Sequence, residues 1–422
     1  MLSIDSVDHF DCASIPIDSF WNTEQAREQK MHRIHAYPAK FPAFITTKAL
    51  DLYTEKKTNK PKRIADIFCG CGTTAFEAKR NAMDFWGCDI NPVATLIAQT
   101  KSSTYQAEKL QSYYENIVNA YTDSNIEDCF ESAPERLQYW YSFQQYNALS
   151  HLKNKIDAIT SSESDYKKFF LCGFSNILKP TSRWLTKSIK PQIDPNKQSI
   201  DILTAFKKQY DFMYSANKMV DPINNATSEI INGNFLDDKW EIPSIDMIIT
   251  SPPYVTSYEY ADLHQLSSLW LGYTDDYKAL RTGTIGSLYH EYNFDKALKR
   301  LNKTGLKIVS HLLDQHKSKS KSVAKYFLDM QCVAQKAYNI LNYPGTALFV
   351  IGNTEYKNVK IDNAKHLLEA LHNAGFAKFC VTKRKISNKI LTPYRDQYGR
   401  FSSRETGRKV YSEEFIIIGK KL

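Results

Sequence analysis

Ile64-Ala65-Asp66-Ile67-Phe68-Cys69-Gly70-Cys71-Gly72-Thr73-Thr74, followed by Phe85-Trp86-Gly87-Cys88-Asp89-Ile90-Asn91-Pro92, decides how the rest of this chain reads. An apolar run of strand length stops at Gly70-Cys71-Gly72, a tight turn, and Thr73 or Thr74 stands where a helix cap is expected. The second apolar run closes on Asp89, 17 residues past Gly72, and Pro92 occupies the first turn of a second helix. Strand, helix, strand, helix with short connections predicts parallel strands joined by crossover helices, an α/β fold. Glycines after a strand let the backbone approach a ligand at a helix N-terminus. Asp89, brought beside that first loop by a parallel sheet, can accept both hydroxyls of a ribose. Position 75 is Ala where the dinucleotide fingerprint has a third glycine. A nucleoside ligand without pyrophosphate is therefore favoured over a nicotinamide dinucleotide.

Outward from this core the same beat continues, with one long interruption. After the strands at 64–69 and 85–90, residues 229–231, 245–249, 347–351, 376–381 and 415–418 read as further strands, seven in all. Residues 323–341 and 361–374 carry helical periodicity, and Tyr343-Pro344-Gly345 reads as a break. Between about 104 and 226 strand-like runs are scarce. That stretch reads as a mostly helical insert, with Leu137-Gln138-Tyr139-Trp140-Tyr141 and Phe169-Phe170-Leu171-Cys172-Gly173-Phe174 as buried anchors. The expected organisation is a catalytic unit of residues 1–103 and 227–422, the insert 104–226, and a segment 258–322 that can serve target recognition.

Ser251-Pro252-Pro253-Tyr254 directly follows the apolar run Ile245-Asp246-Met247-Ile248-Ile249. Consecutive prolines cannot extend a strand and carry no N–H donors, so the carbonyls there are available to a ligand amine. Tyr254 offers a flat face for a base, and Ser251 a hydroxyl acceptor. The position, at the carboxyl end of a sheet strand, is where open α/β sheets bind ligands.

These two motifs together resemble the amino DNA methyltransferases that use S-adenosylmethionine and carry a Ser-Pro-Pro-Tyr motif. The resemblance covers residues 31–100 and 228–422. It implies a Rossmann-like class I methyltransferase sheet of seven strands, mostly parallel, with the helical part inserted. Asp66 to Thr73 is similar to the family's first cofactor motif, with Cys71 in the usual place of Ser, and Asp89-Ile90-Asn91-Pro92 to its ribose-binding strand end. His35-Ala36-Tyr37-Pro38-Ala39-Lys40-Phe41 looks like the motif that closes over the methionine moiety. Gly233-Asn234-Phe235 falls where relatives contact the adenine, with Asn234 for the more usual Asp. The implied cofactor residues are Tyr37, Pro38, Lys40, Asp66, Phe68, Gly70, Gly72, Thr73, Asp89, Ile90, Asn234 and Phe235.

In that family Ser-Pro-Pro-Tyr leans toward cytosine-N4 methylation, and Asp- or Asn-Pro-Pro-Tyr toward adenine-N6, which stays open as the alternative. None of the eight cysteines follows proline, so the nucleophile of cytosine-C5 methylation is missing. Ser251, Pro252, Pro253 and Tyr254 are the expected catalytic residues. The Ser251 hydroxyl and Pro252 carbonyl would accept the amine hydrogens, the Pro253 carbonyl could join if the loop turns further, and Tyr254 would stack on a base flipped from duplex DNA. RNA or protein-glutamine methylation and an inactive nucleic-acid-binding module are more distant readings.

Charge supports a polyanion partner. The chain holds 55 Lys and Arg against 46 Asp and Glu, and between Lys378 and Lys409 ten basic residues face only Asp396 and Glu405. Further basic clusters are Lys179, Arg183, Lys187, Lys190, Lys197 and Lys317, Lys319, Lys321, Lys325; each can equally be a solvated face. Arg183, Arg281, Arg395, Arg400 and Arg404 are the candidate DNA contacts. Arg281-Thr282-Gly283-Thr284-Ile285-Gly286-Ser287 resembles a substrate loop in relatives, or is an ordinary turn. Trp184, beside Arg183, is more often core than a base contact.

At 422 residues and 42% hydrophobic, the chain can fill more than one core. No run approaches the ~18 apolar residues of a membrane span. The start, Met1-Leu2-Ser3-Ile4-Asp5, has no secretory character. Sparse cysteines, only Cys69 and Cys71 being close, predict neither a disulfide scaffold nor a metal site. A cytoplasmic protein of a bacterial or phage-like setting is expected, either half of a restriction-modification pair with a cognate endonuclease or a solitary modifier.

Overall fold

A computed structural model of the chain describes residues 2–4, 7, 10–22, 28–38, 40–55, 61–161, 164–220, 225–255, 259–287, 292–356, 359–386, 394–395, 401–402, 408–409 and 412–422. Its centre is one sheet of eight strands: β1 (Leu2–Ile4), β2 (Arg63–Asp66), β3 (Asp84–Asp89), β4 (Ser228–Asn232), β5 (Ile245–Thr250), β6 (Leu341–Ile351), β7 (Ala377–Lys385) and β8 (Glu413–Lys421). They lie in the order β1-β7-β8-β6-β5-β2-β3-β4. From β6 through β4 neighbouring strands pair in parallel, while β8 runs antiparallel to both β6 and β7. The seven expected strands are all present, in a mostly parallel α/β sheet as expected. The eighth, β1, pairs antiparallel with β7. Three residues are too few to show an alternating pattern in sequence, and β1 owes its conformation to an edge strand that would otherwise leave its backbone unpaired.

Alternation along the strands decides which face each residue covers. Ile64, Met247, Ile249, Leu348, Val350 and Ile416 pack on one side with α1 (Ala43–Glu55), α2 (Thr73–Arg80) and α3 (Pro92–Ser102). Ala65, Ile248, Ala347, Phe349, Phe415 and Ile417 pack on the other with α10 (Lys303–Gln315), α11 (Lys317–Ile340) and α12 (Asn363–Asn373). Two elements differ from expectation. Helix α11 begins six residues before position 323, because lysines at 317, 319 and 321 hide the apolar period of its first turns. Strand β6 runs straight through Tyr343-Pro344-Gly345, since its register against β5 jumps from Ile245↔Leu341 to Met247↔Thr346 and the extra residues are absorbed as an irregularity.

The interruption is helical: α4 (Ala107–Thr122), α5 (Glu135–Trp140), α6 (Phe143–Ile159), α7 (Ser164–Thr181) and α8 (Ile202–Lys218). Leu137, Trp140, Tyr141, Phe169, Phe170, Cys172 and Phe174 are buried there, whereas Tyr139 is exposed. These helices share a single apolar cluster with Met31, Ile34, Cys71, Phe76, Val93, Leu96 and Ile97, and with Leu266 and Trp270 of α9 (Gln265–Trp270). The insert is thus packed directly behind the glycine loop. Among the described residues no helix is long and apolar enough to cross a membrane.

From β2 the chain steps outward to β3 and β4, then returns to β5 and steps the other way to β6. The β2–β5 boundary is the topological switch point, where loops diverge and leave a crevice.

Candidate functional site

Both motifs sit at this switch point. Ile64 pairs with Met247 and Ala65 with Ile248, so the glycine loop after β2 and the Pro-Pro loop after β5 leave the same rim side by side. Asp66 joins them. Its carboxylate accepts the Thr250 hydroxyl at 2.6 Å, the Thr74 hydroxyl at 2.9 Å and the Phe68 N–H at 3.2 Å. Burial raises its pKa to about 6, against those three hydrogen bonds. Asp66 therefore acts on any ligand through the loops it ties together.

In the glycine loop the helix cap differs from expectation. Neither threonine caps α2; the N-cap is Gly72, left-handed at φ 75°. A Cβ there would lie 2.6 Å from Ala98 of α3, so glycine serves both the turn and the close helix approach. Thr74 is spent on Asp66, and the buried Thr73 hydroxyl has no partner among the described residues. Fully buried Lys101 donates to the Cys71 thiol at 3.3 Å.

Asp89 ends β3 and turns back over the loop. One oxygen accepts the Gly70 N–H and the other the Asn91 N–H, both at 2.9 Å. Each keeps a lone pair for a further donor. Burial raises its pKa to about 6, with the two backbone N–H groups opposing. Beyond Asp89 a cavity of about 520 Å³ opens between Ile90, Asn234, Gly283 and Asp329, within the size range of ligand pockets (roughly 300–1,000 Å³). A carboxylate able to accept paired hydroxyls, an orphaned hydroxyl at a helix start and an adjoining cavity suit a ligand with a ribose and a flat base, as S-adenosylmethionine has.

Other residues singled out in the sequence are placed as follows. Tyr37 lies against Gly70 and stacks with His264 at 5.1 Å and with Tyr260 at 5.9 Å. Pro38 follows it, partly exposed; Ala39 is outside the described residues. Lys40 is engaged by the Glu28 carboxylate at 2.6 Å and the His32 carbonyl at 3.1 Å. Phe68 is half-buried at the apolar edge of the loop. Asn234 donates to the Gly283 carbonyl at 3.0 Å, and Phe235 is buried in the core instead of lining the cavity.

The Pro-Pro loop is held by side chains. The Ser251 hydroxyl donates to the Val350 carbonyl at 3.0 Å, which leaves its oxygen only acceptor capacity. The Pro253 carbonyl accepts the Tyr326 hydroxyl at 2.9 Å and is not turned toward a second ligand. Buried Pro252 carries a carbonyl to which no described residue donates. The Tyr254 hydroxyl donates to Glu414 at 2.9 Å, and Glu414 is clamped by Arg384 at 2.6 and 2.8 Å. Burial and the Glu414 charge push the Tyr254 phenol well above its ordinary pKa.

The basic residues divide. Arg384 and Lys383 are paired across the sheet with Glu414 and Glu413. Arg281 is held by Asp262 at 2.6 Å. Arg183 is exposed, with one nitrogen on the Tyr141 carbonyl at 3.2 Å, while Trp184 beside it is core, stacked on Trp140. Lys179 and Lys197 bind carbonyls of their own loop, and burial beside Lys179 lowers Lys197 to about 8. Arg395 lies in a two-residue strand whose side chains are not described; Arg400 and Arg404 fall outside the described residues.

The profile of a family described as DNA methylase, covering N6 and N4 enzymes, matches residues 8–100, the stretch that carries the glycine loop and Asp89. The type II methyltransferase M.MvaI of Kocuria varians is 22% identical over 404 residues, 88% of this chain and 87% of its own length. The chain is thus similar to amino DNA methyltransferases. A second type II methyltransferase, M.MjaII of Methanocaldococcus jannaschii, is 26% identical over 156 residues, 35% of this chain and 28% of its own length. Among solved structures, the rRNA methyltransferase aviRa of Streptomyces viridochromogenes aligns over 94% of both chains at 7% identity and a TM-score of 0.29, too loose a likeness to bear on the argument.

Sequence reasoning missed Thr250, Tyr326, Arg384 and Glu414 as parts of the site. Thr250 adjoins the motif and was legible as its neighbour. The others reach it from a helix and two strands, Tyr326 from 73 positions away and Glu414 from 160, and no local pattern signals such contacts.

Proposed function

We propose that this enzyme transfers a methyl group from S-adenosylmethionine to the exocyclic N4 of a cytosine flipped from duplex DNA at a specific site. The observation that carries the reading is the acceptor pair at the rim. Ser251 has its hydrogen committed to Val350, and the neighbouring Pro252 carbonyl has no donor among the described residues. Two acceptors and no donor suit an amine that carries two hydrogens.

An exocyclic amine is a weak nucleophile because its lone pair is delocalised into the ring. Hydrogen bonds to Ser251 and Pro252 draw both hydrogens out of plane and localise that pair. Bound at Asp89 and the adjoining cavity, the sulfonium supplies an activated methyl. Asp66 then sets the distance between the loops through Thr250 and Thr74, and alignment of this kind is worth up to roughly 7–11 kcal/mol. Tyr254, fixed at its hydroxyl by Glu414, presents its ring to the base. No strong base is needed, since the proton leaves after transfer.

In this reading residues 1–103 and 227–422 form the catalytic unit. The insert 104–226 and segment 258–322 contribute DNA contacts, Arg183 among them, with Arg395, Arg400 and Arg404 on the basic segment near the end. A cognate restriction endonuclease would recognise the same site. Cytosine is favoured over adenine by the Ser-Pro-Pro-Tyr resemblance.

Mass spectrometry of nucleosides from DNA treated with the enzyme should give N4-methylcytosine, and sequencing of modified bases should give one short recognition site. N6-methyladenine would replace the base assignment. Replacing residues 251–254 by alanine should abolish methylation while cofactor binding survives; full activity in that variant would refute the mechanism.

A further inference from the structure

We propose that residues 282–287, the loop that resembles a substrate loop in relatives, form a latched outer wall of the cofactor pocket; the proposal rests on the cofactor reading of the cavity at Asp89. The loop is bonded at two points to elements that do not belong to it. At one, the Asn234 amide donates to the Gly283 carbonyl at 3.0 Å. At the other, the Gly286 N–H donates to Asp329 at 2.9 Å. Asp329 is buried on α11, and its second oxygen is held by Lys325 one turn earlier. Helix α11 packs along the sheet, so it is a fixed post.

Between these two bonds lies the cavity, lined by Ile90, Asn234, Gly283, Thr284, Lys325 and Asp329. A Cβ on Gly283 would come within 3.2 Å of the Ile90 side chain, and its φ of 80° suits glycine, so the loop lies down onto the residue that follows Asp89. A loop serving DNA alone has no need of a bond to the turn after β4.

The same geometry accounts for Asn234 in a place where relatives usually carry Asp. A carboxylate at 3.0 Å from the Gly283 carbonyl would set two acceptors against each other with no hydrogen between them. The amide supplies that hydrogen. Opening the Asn234 or the Asp329 bond would remove one wall of the pocket, so the latch holds the nucleoside end of the cofactor in place.

The test is calorimetric titration of the full-length chain with S-adenosylhomocysteine in the absence of DNA, with thermal melts as a folding control. Asp329→Ala and Asn234→Asp should each weaken binding about tenfold, the effect of losing one hydrogen bond of this class, and Asp329→Asn, which keeps an acceptor oxygen, should bind near wild type. Tighter binding by Asn234→Asp would mean that position 234 serves the adenine directly and would overturn the latch. Unchanged affinity in Asp329→Ala, with only the DNA Michaelis constant altered, would return the loop to DNA recognition. A wild-type chain that binds no S-adenosylhomocysteine would remove the cofactor reading itself, a result distinct from both.

Discussion

The glycine loop and the Pro-Pro loop leave adjacent strands at one rim, and they are anchored in opposite ways. In the glycine loop, side-chain carboxylates hold the backbone: Asp66 takes the Phe68 N–H and Asp89 takes that of Gly70. In the Pro-Pro loop, where two residues have no N–H, the anchors are Ser251 on Val350, Tyr326 on Pro253 and Tyr254 on Glu414. The first arrangement leaves carboxylate lone pairs facing a ligand rich in hydroxyls. The second leaves a serine oxygen and a proline carbonyl as free acceptors, which in the proposed function take the hydrogens of an amine. In each loop one anchor, Asp89 or Ser251, also keeps an acceptor lone pair free.

Among the described residues Asp66 is bonded both to the glycine loop and to Thr250, which leads into the Pro-Pro loop, so its removal should break the comparison most completely. Asp66→Ala frees Thr250, Thr74 and the Phe68 N–H at once. The expected loss is roughly 2–4 kcal/mol of folding stability, since bonds to an ionised group are the stronger kind and their release is partly offset by no longer burying a charge. Cofactor binding and methyl transfer should fall together. Denaturant melts beside calorimetry check this: unchanged stability with a weaker cofactor alone would make Asp66 a direct ligand contact.

The middle-sized effect separates the two loops by pH. Asp89 has a pKa of about 6 in the free protein because burial outweighs its two backbone hydrogen bonds. Ribose hydroxyls donate to the ionised form, so binding lowers that pKa and releases a proton when it occurs near pH 6. Above about pH 7 the carboxylate is already charged and affinity is flat. Below pH 6 binding must first remove a proton, and affinity should fall about tenfold by pH 5. Asp89→Asn should be weak and should keep only the part of this slope that Asp66, also near 6, contributes through the loops. A wild-type affinity constant from pH 7 to 5 would exclude Asp89 as the hydroxyl acceptor. Tyr254 does not titrate in that window, being pushed upward, whereas Asp66, also near 6, does and would loosen both loops together.

How far the sequence carried differs between the loops for the same reason. The glycine loop is a local structure: strand, turn, helix and Asp89 lie within one βαβ unit, and its period and spacing were readable. So was the sheet, apart from β1 and the run of β6 through Tyr343-Pro344-Gly345. The residues of the Pro-Pro loop were readable, but their supports were not. Arg384 was counted among the ten basic residues between Lys378 and Lys409, and nothing local marked Glu414 as its partner. Only the register that sets Glu414 opposite Arg384 shows that they neutralise one another. Lys40 and Arg281 carry the same lesson: a cation's partner, Glu28 or Asp262, is decided by tertiary contact.

The smallest expected effect tests whether that hidden pair positions Tyr254. The Arg384 guanidinium is buried and bonds Glu414 through two nitrogens, while the other Glu414 oxygen receives the tyrosine hydroxyl. Glu414→Gln keeps the shape but weakens both bonds by removing a charge, and it leaves Arg384 short of a counter-ion. Tyr254→Phe keeps the ring and deletes the hydroxyl, leaving Glu414 to Arg384 alone. If the ring must be held at one angle for the base, both variants should lower kcat several-fold, about 1 kcal/mol each for one hydrogen bond, with cofactor affinity unchanged. The double variant should lose little more than the worse single one, because both changes cut the same contact. A fully additive double variant would mean that Glu414 supports the sheet edge and Tyr254 stacks without its help.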